Sequence, residues 1–237
     1  MSEAFFPGRD EIKQIVKEAI DELLYDKLRS IDLGLWMETN LRSARFLLDN
    51  KVPLNKRFTH GGLRDEAMRR MPEGMVMEFG VWKGHWINHF AQKTTRTVYG
   101  FDSFEGLPED WSVHNKDYFA LDALPKVREN VTLVKGWFSN SLPGFLAGHP
   151  EKVAFIHLDC DLYSSTIDVL RALYQHNRFQ EGTAIVLDDF MMQVGFETEE
   201  HKAFFDFIKF SGYDFEYIGY ATEVPSCSAG VILRNVK

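Results

Sequence analysis

The sequence predicts an α/β fold in which a mostly parallel sheet is covered by helices on both faces, preceded by a helical extension. From Met75 onward, short apolar runs alternate with longer segments of helical periodicity, the pattern of βαβ units. The runs, such as Val153–Leu158, are almost continuously apolar, as strands buried on both faces are. Several also end in glycine or aspartate, which suits a sheet that binds a ligand at the carboxyl ends of its strands.

The chain of 237 residues is long enough for one such domain with a substantial core. A hydrophobic fraction of 45% excludes a disordered chain, and a net charge of −8 argues against general nucleic-acid binding. The two cysteines, Cys160 and Cys227, have no paired spacing, so neither a disulfide framework nor a zinc cluster is expected. The opening residues lack a basic segment followed by an apolar run, and no window approaches the ~20 apolar residues of a membrane span. A cytoplasmic location is the expectation.

Taken in order, Asp10–Ile31 predicts an amphipathic helix, with Ile12, Ile15, Val16, Ala19, Ile20, Leu23 and Leu24 on one side. It either packs on its own domain or acts as an arm that dimerises or closes over the site; a homodimer is the expectation. Glu38–Asp49 predicts a second helix, Lys51–Gly62 a loop, and Leu63–Arg70 a short basic helix. Residues 1–72 are thus expected to form an N-terminal helical extension, and 73–237 the main domain. Strands are expected at Met75–Phe79, Thr97–Phe101, Val131–Val134, Val153–Leu158 and Thr183–Leu187. The intervening helices are expected at Gly84–Lys93, Asn140–Gly148, Ser164–His176 and Glu197–Phe210. Phe215–Ile218 and Gly230–Leu233 predict two closing strands.

The stretch Val76–Gly84, V-M-E-F-G-V-W-K-G, organises the rest: a buried strand, a glycine turn and a helix start. Gly80 lets the chain turn and a ligand approach, and the following helix offers free N–H groups. The dinucleotide pattern G-x-G-x-x-G is absent, which makes a dehydrogenase a poor fit. Asp102 lies 22 residues after Gly80, at the end of the next strand, where an acid holds a ribose diol or serves as a turn residue. Phe104 is placed to flank an adenine ring, and Trp137 within Gly136-Trp137-Phe138 either stacks on a base or joins the core. Strand four ends in I-H-L-D-C-D-L-Y-S-S-T and strand five in I-V-L-D-D-F. If these strands are neighbours, Asp159, Asp161, Asp188 and Asp189 converge. Such carboxylates require raised pKa values or a cation, and oxygen-only ligands suit Mg²⁺ or Ca²⁺. His157, inside a strand, is expected to be structural.

These blocks, E-F-G-V-W-K-G, G-F-D-S-F-E-G-L-P, H-L-D-C-D-L-Y-S-S-T and V-L-D-D-F, resemble the macrocin-type O-methyltransferases (the TylF/MycF family) over roughly Met75–Phe210. The resemblance implies a Rossmann-like class I methyltransferase sheet of seven strands with a reversed last hairpin. It implies S-adenosyl-L-methionine as cofactor. Glu78, Gly80 and Gly84 would surround its methionine portion, with Asp102, beside Ser103 and Phe104, on the ribose and Asp159 near the amino group. It implies Mg²⁺ on Asp161, Asp188 and Asp189, Asp161 thereby sharing in catalysis, and a histidine base beyond the second strand, for which His114 is the candidate. The implied function is methylation of a hydroxyl on a small-molecule acceptor such as a secondary metabolite, sugar or phenolic. Two alternatives stay open: a methyltransferase that uses no metal, acting on nitrogen or oxygen, and a non-catalytic cofactor-binding protein of the same fold.

Overall fold

The computed structural model describes residues 8–28, 30–111, 114–223 and 226–236. Met1–Pro7, which bear on the expectation that no leader is present, lie outside them. Two helices, α1 (Arg9–Leu28) and α2 (Ile31–Asp49), open the chain. The single helix expected to reach Ile31 stops earlier, because the Ser30 hydroxyl accepts the Asp32 N–H at 3.2 Å and starts α2 there. The second helix therefore begins seven residues before the expected Glu38. After β1 (Arg57–Phe58) and α3 (His60–Arg70), β and α alternate: β2 (Met75–Phe79), α4 (His85–Lys93), β3 (Val98–Asp102), β4 (Val131–Lys135), α5 (Phe138–Gly148), β5 (Val153–Leu158), α6 (Tyr163–Gln175) and β6 (Ala184–Met191). Then come α7 (Glu200–Ser211) and a long hairpin of β7 (Asp214–Glu223) and β8 (Ser226–Arg234).

Among the described residues the sheet has eight strands, in the order β1-β7-β8-β6-β5-β2-β3-β4. Its eighth strand, β1, occupies the stretch expected to be a loop. Two residues leave no periodicity to read; the pairing is made by β7, whose Tyr220 N–H donates to Lys56 O at 3.1 Å. Gly219 makes that approach possible, since a Cβ there would sit 2.3 Å from the Lys56 carbonyl oxygen. The closing hairpin is not reversed as a unit. Only β8 runs against the other strands, wedged between β6 and β7, while β7 is parallel to β1.

Each face of the sheet carries its own apolar layer. One joins Phe79, Phe101, Leu146, Leu170, Phe204 and Phe207 under α5, α6 and α7. The other joins Val76, Phe155, Val186, Leu63, Ile87 and Phe90 under α3 and α4. Every residue of β2 and β5 is buried, as central parallel strands require. α2 is pinned by Ser43, whose hydroxyl accepts the Met192 N–H at 3.1 Å just past β6. By contrast, α1 keeps Ile12, Ile15, Val16, Ile20 and Leu24 about half exposed.

Candidate active site

From the middle of the sheet the chain runs outward in both directions, β2 to β3 to β4 on one side and β5 to β6 on the other. The crevice between the carboxyl ends of β2 and β5 is where such sheets bind ligands. Gly80 sits there with φ 88°, and a Cβ on it would lie 1.8 Å from the Asp159 carbonyl oxygen. Only glycine lets the two strand ends touch. Trp82 follows with φ 43°, and Gly84 leads into α4.

Asp102, the last residue of β3, ties this turn together. Its Oδ2 accepts the N–H groups of Val81 at 2.8 Å and Trp82 at 2.7 Å, and its Oδ1 accepts that of Phe104 at 2.7 Å. Burial pushes its pKa up against the pull of these three donors. A carboxylate offers about four acceptor positions, so it retains capacity for a hydroxyl. Ser103 closes the next turn, its hydroxyl donating to Gly106 O at 2.9 Å.

Two adjoining cavities open here. One, of about 510 Å³, is lined by Gly80, Asp102, Ser103, Trp137, Phe138 and Asp159, among others. The second, of about 590 Å³, is lined by Glu78, Trp82, His114, Asp188, Asp189 and Gln193, among others. Both touch Gly80, Trp82, Phe119, Asp159 and Asp161. Trp82 and Phe119, 5.4 Å apart edge to face, form the aromatic wall they share.

β5 and β6 are indeed neighbours, with Leu158 opposite Leu187. Oxygens of Asp159, Asp188 and Asp189 come within 4.8 Å of one another. An irregularity between Leu187 and Met191 lets two successive aspartates serve one point, which a regular strand forbids. Asp161, with φ 61°, stands against Asp189 and donates a hydrogen bond to it when protonated. Burial, then the like charges of Asp188 and Asp189, hold the Asp159 carboxyl well above its usual range. Asp161 is raised in the same way by burial and Asp189, and Asp189 itself to about 6 by burial and Asp188. Glu200, buried at the start of α7, adds a further acid nearby, also raised well above its usual range by burial. Such a set favours a hard cation, which replaces repulsion by shared attraction.

On the face covered by α3 and α4, which also carries Val76, Phe155 and Val186, runs a buried polar chain that ends at Asp188 of the acid cluster. Pairing of Glu78 with His157 across β2 and β5 sets the two side by side, and His157 Nδ1 meets Glu78 Oε1 at 3.0 Å. Arg64 Nε donates to His157 Nε2 at 3.0 Å, and Arg64 Nη2 donates to Asp188 Oδ1. Burial, followed by the Arg64 charge, pushes the His157 pKa well down, so the ring is neutral, with its proton on Nδ1 toward Glu78. Glu78 Oε2 is buried and accepts no hydrogen bond from a described residue. Burial, then Asp159, holds Glu78 well above the usual carboxylate range.

The structure thus brings Glu78, Gly80, Asp102, Ser103, Trp137, Phe138, Asp159, Asp161, Asp188, Asp189 and His114 to two touching cavities. His114 is held by reciprocal backbone bonds with Trp111, and its ring stacks on Tyr118 at 3.9 Å. Three predicted residues fall elsewhere. Phe104, with φ 56°, turns from its bond to Asp102 into the core and is 3% exposed, so it is not placed to flank a base. Gly84 faces Asn88, Pro125 and Val127, and Gly136 faces Ser141; both shape turns rather than line a cavity. Arg64, Phe119 and Gln193 were not singled out by the sequence. Arg64 left one signal, its place beside Leu63 on a helix of basic appearance, which reads equally as a solvated charge.

A model of the macrocin-O-methyltransferase (TylF) family matches residues 119–205, the stretch from Phe119 through the two acid-bearing strand ends. The chain is related to these enzymes. It is 32% identical over 143 residues to an 8-demethyl-8-(2,3-dimethoxy-alpha-L-rhamnosyl)-tetracenomycin-C 4'-O-methyltransferase of Streptomyces olivaceus, a match covering 49% of this chain and 53% of that protein. It is 28% identical over 161 residues to a demethyldecarbamoylnovobiocin O-methyltransferase of Streptomyces niveus, covering 56% and 60%. These matches span little more than half the length of those relatives. Among solved structures, a calicheamicin methyltransferase superposes with a TM-score of 0.55 at 18% identity, covering 96% of this chain and 94% of that one. The O-methyltransferase NovP superposes with a TM-score of 0.51 at 23% identity, covering 73% and 76%. The fold is that of the class I methyltransferases. Among the described residues, no helix is long and apolar enough to cross a membrane.

Proposed function

We propose that this protein transfers a methyl group from S-adenosylmethionine to a hydroxyl of a small-molecule acceptor, with a divalent cation on the acid cluster. The observation that carries the proposal is the meeting, at one switch point, of a glycine turn buttressed by Asp102 with the oxygens of Asp159, Asp188 and Asp189. The residues fit such a cofactor. Gly80 leaves no room for a side chain, Glu78 presents a buried unpartnered oxygen suited to an ammonium group, and Trp137 and Phe138 line the cavity beyond Asp102. The cofactor supplies an electrophilic methyl on a sulfonium. The acid cluster fits Mg²⁺, which would lower the pKa of a hydroxyl and stabilise developing alkoxide charge.

In this reading Asp102 accepts a ribose hydroxyl and Glu78 holds the amino group. Asp188 and Asp189 hold the cation, completed by Asp159, which the geometry presents, or by Asp161, which the family pattern implies. Aspartate-to-asparagine changes at 159 and 161 decide between these two. His114, on the wall of the 590 Å³ cavity, takes the hydroxyl proton. With the cofactor bound, Asp102 and Glu78 would hold it so that its methyl could pass in line to the acceptor oxygen as the carbon–sulfur bond breaks, the electron pair staying on sulfur. Trp82, Phe119 and Trp111 give the acceptor cavity the apolar faces on which sugar and aromatic rings pack. Together with a relative whose name specifies a rhamnosyl compound, they point to a glycosylated small molecule as acceptor. The extension over residues 1–72 is read as an arm, with α1 the contact between two copies of a dimer.

A second reading has its own support. Arg64 already neutralises Asp188, and Asp161 shares a proton with Asp189, so the acids are accommodated without an ion. Methyl transfer from labelled cofactor to a panel of deoxysugar-bearing acceptors separates the two. EDTA is expected to abolish transfer and Mg²⁺ to restore it, with Asp188→Ala lowering kcat by about 100-fold or more. Transfer indifferent to chelator would establish the metal-free reading.

A further inference from the structure

We propose that Arg64 is a positioning residue for both halves of the site, setting Asp188 directly and Glu78 through His157. The inference rests on the cofactor and cation reading above and deepens it. Arg64 is wholly buried and lines neither cavity. Each guanidinium nitrogen has a distinct partner: Nη2 donates to Asp188 Oδ1, Nε to His157 Nε2 at 3.0 Å, and Nη1 to the His60 carbonyl at 3.1 Å. The plane lies over Trp86, 3.9 Å from its ring centroid, which fixes its tilt. A planar fork bonded along its edges and stacked on a face is rigid, and a flexible ammonium does not reproduce that geometry.

The consequence passes in two directions. Toward the acid cluster, Asp188 is clamped between Arg64 and the Ser228 hydroxyl at 2.9 Å, both on Oδ1, which leaves Oδ2 for the shared point with Asp159 and Asp189. Toward the glycine turn, acceptance of the Arg64 N–H at His157 Nε2 requires the ring proton on Nδ1, which donates to Glu78 Oε1. That bond fixes the carboxylate plane and thereby aims the unpartnered Oε2. Groups that orient direct ligands in this manner change ligand affinity without touching the ligand.

The test is binding, measured on the whole protein: S-adenosylhomocysteine by calorimetry and Mn²⁺ by electron paramagnetic resonance. In Arg64→Lys both dissociation constants are expected to rise about ten-fold or more. In His157→Gln the amide takes the place of Nε2 and keeps the bond to Arg64, but does not reach Glu78. There the Kd for S-adenosylhomocysteine is expected to rise about ten-fold, while that for Mn²⁺ stays within about two-fold. Melting curves establish that each variant is folded at the temperature used, and if Arg64→Lys does not fold, His157→Gln decides. A folded Arg64→Lys protein with wild-type affinities overturns the proposal, as does His157→Gln weakening both ligands in parallel, the mark of general loosening. Wild-type protein that binds S-adenosylhomocysteine but no Mn²⁺ overturns the Asp188 half. Wild-type protein that binds neither overturns the cofactor reading, and the positioning role falls with it.

Discussion

Asp189 and its neighbours set the behaviour of the acid cluster one proton at a time. Burial and the Asp188 charge raise the Asp189 pKa to about 6 in the metal-free protein. A carboxyl raised in the folded state contributes stability that is present below its unfolded value and lost as pH rises through about 6. A cation must displace that proton, so stabilisation by Mg²⁺ is expected to be small at pH 5 and to grow as pH rises past 6. Melting temperatures with Mg²⁺ and with EDTA across that range check this; a Mg²⁺ shift that does not vary with pH would contradict it. Asp102, Asp188 and Asp189 were legible in the sequence because aspartates at strand ends follow recognisable apolar runs. Arg64 was not. In sequence, a buried arginine looks like any other, and only the fold reveals that its partners lie 93 and 124 residues away.

At the scale of elements, the contact between the ends of β2 and β5 depends on Gly80. Gly80→Ala forces a Cβ against the Asp159 carbonyl at a positive φ, so the strand ends must part. A loss of roughly 1–3 kcal/mol of stability or more is expected, with cofactor binding lost, measured by urea unfolding and calorimetry. α7 offers a second test. His201 is enclosed by Phe46, Phe190, Phe196 and Phe205, at 4.6–5.2 Å between ring centroids, and burial pushes its pKa down to about 4. A histidine depressed in the folded state loses its contribution as pH falls from about 6.5 toward 4, here up to roughly 3 kcal/mol. His201→Phe is expected to flatten the acid limb of the stability curve, read as urea midpoints of both proteins at pH 7 and pH 5. Because Asp189 acts with opposite sign over the same window, the difference between the two proteins isolates the histidine. Strand positions were legible where apolar runs are unbroken. β7 runs from Asp214 to Glu223, well past the expected Phe215–Ile218, because pairing with β8 carries Gly219 and Thr222 that apolar content alone does not mark.

For the whole molecule, the sequence conveyed a doubly covered sheet and two strands whose ends converge. It did not convey that β8 alone is reversed, since strand direction follows from connections across space rather than from local pattern. The helical extension bears on assembly. A 20-residue helix that leaves Ile12, Ile15 and Ile20 48–55% exposed is marginal in water without a covering surface. If α1 is the proposed dimer contact, the double change Ile12→Asp and Ile20→Asp lowers the sedimentation coefficient from that of a dimer to that of a monomer with the main domain still folded; an unchanged coefficient would contradict the proposed contact.

The most direct test of the central claim is diffraction from crystals grown with S-adenosylhomocysteine and Mn²⁺, using the anomalous signal of manganese. An anomalous peak within bonding distance of Asp188 and Asp189 is expected, with the ribose on Asp102 and the amino group at Glu78. A cofactor bound at the glycine turn with no manganese at the acids would contradict the cation's role, and an empty switch point would contradict the site itself.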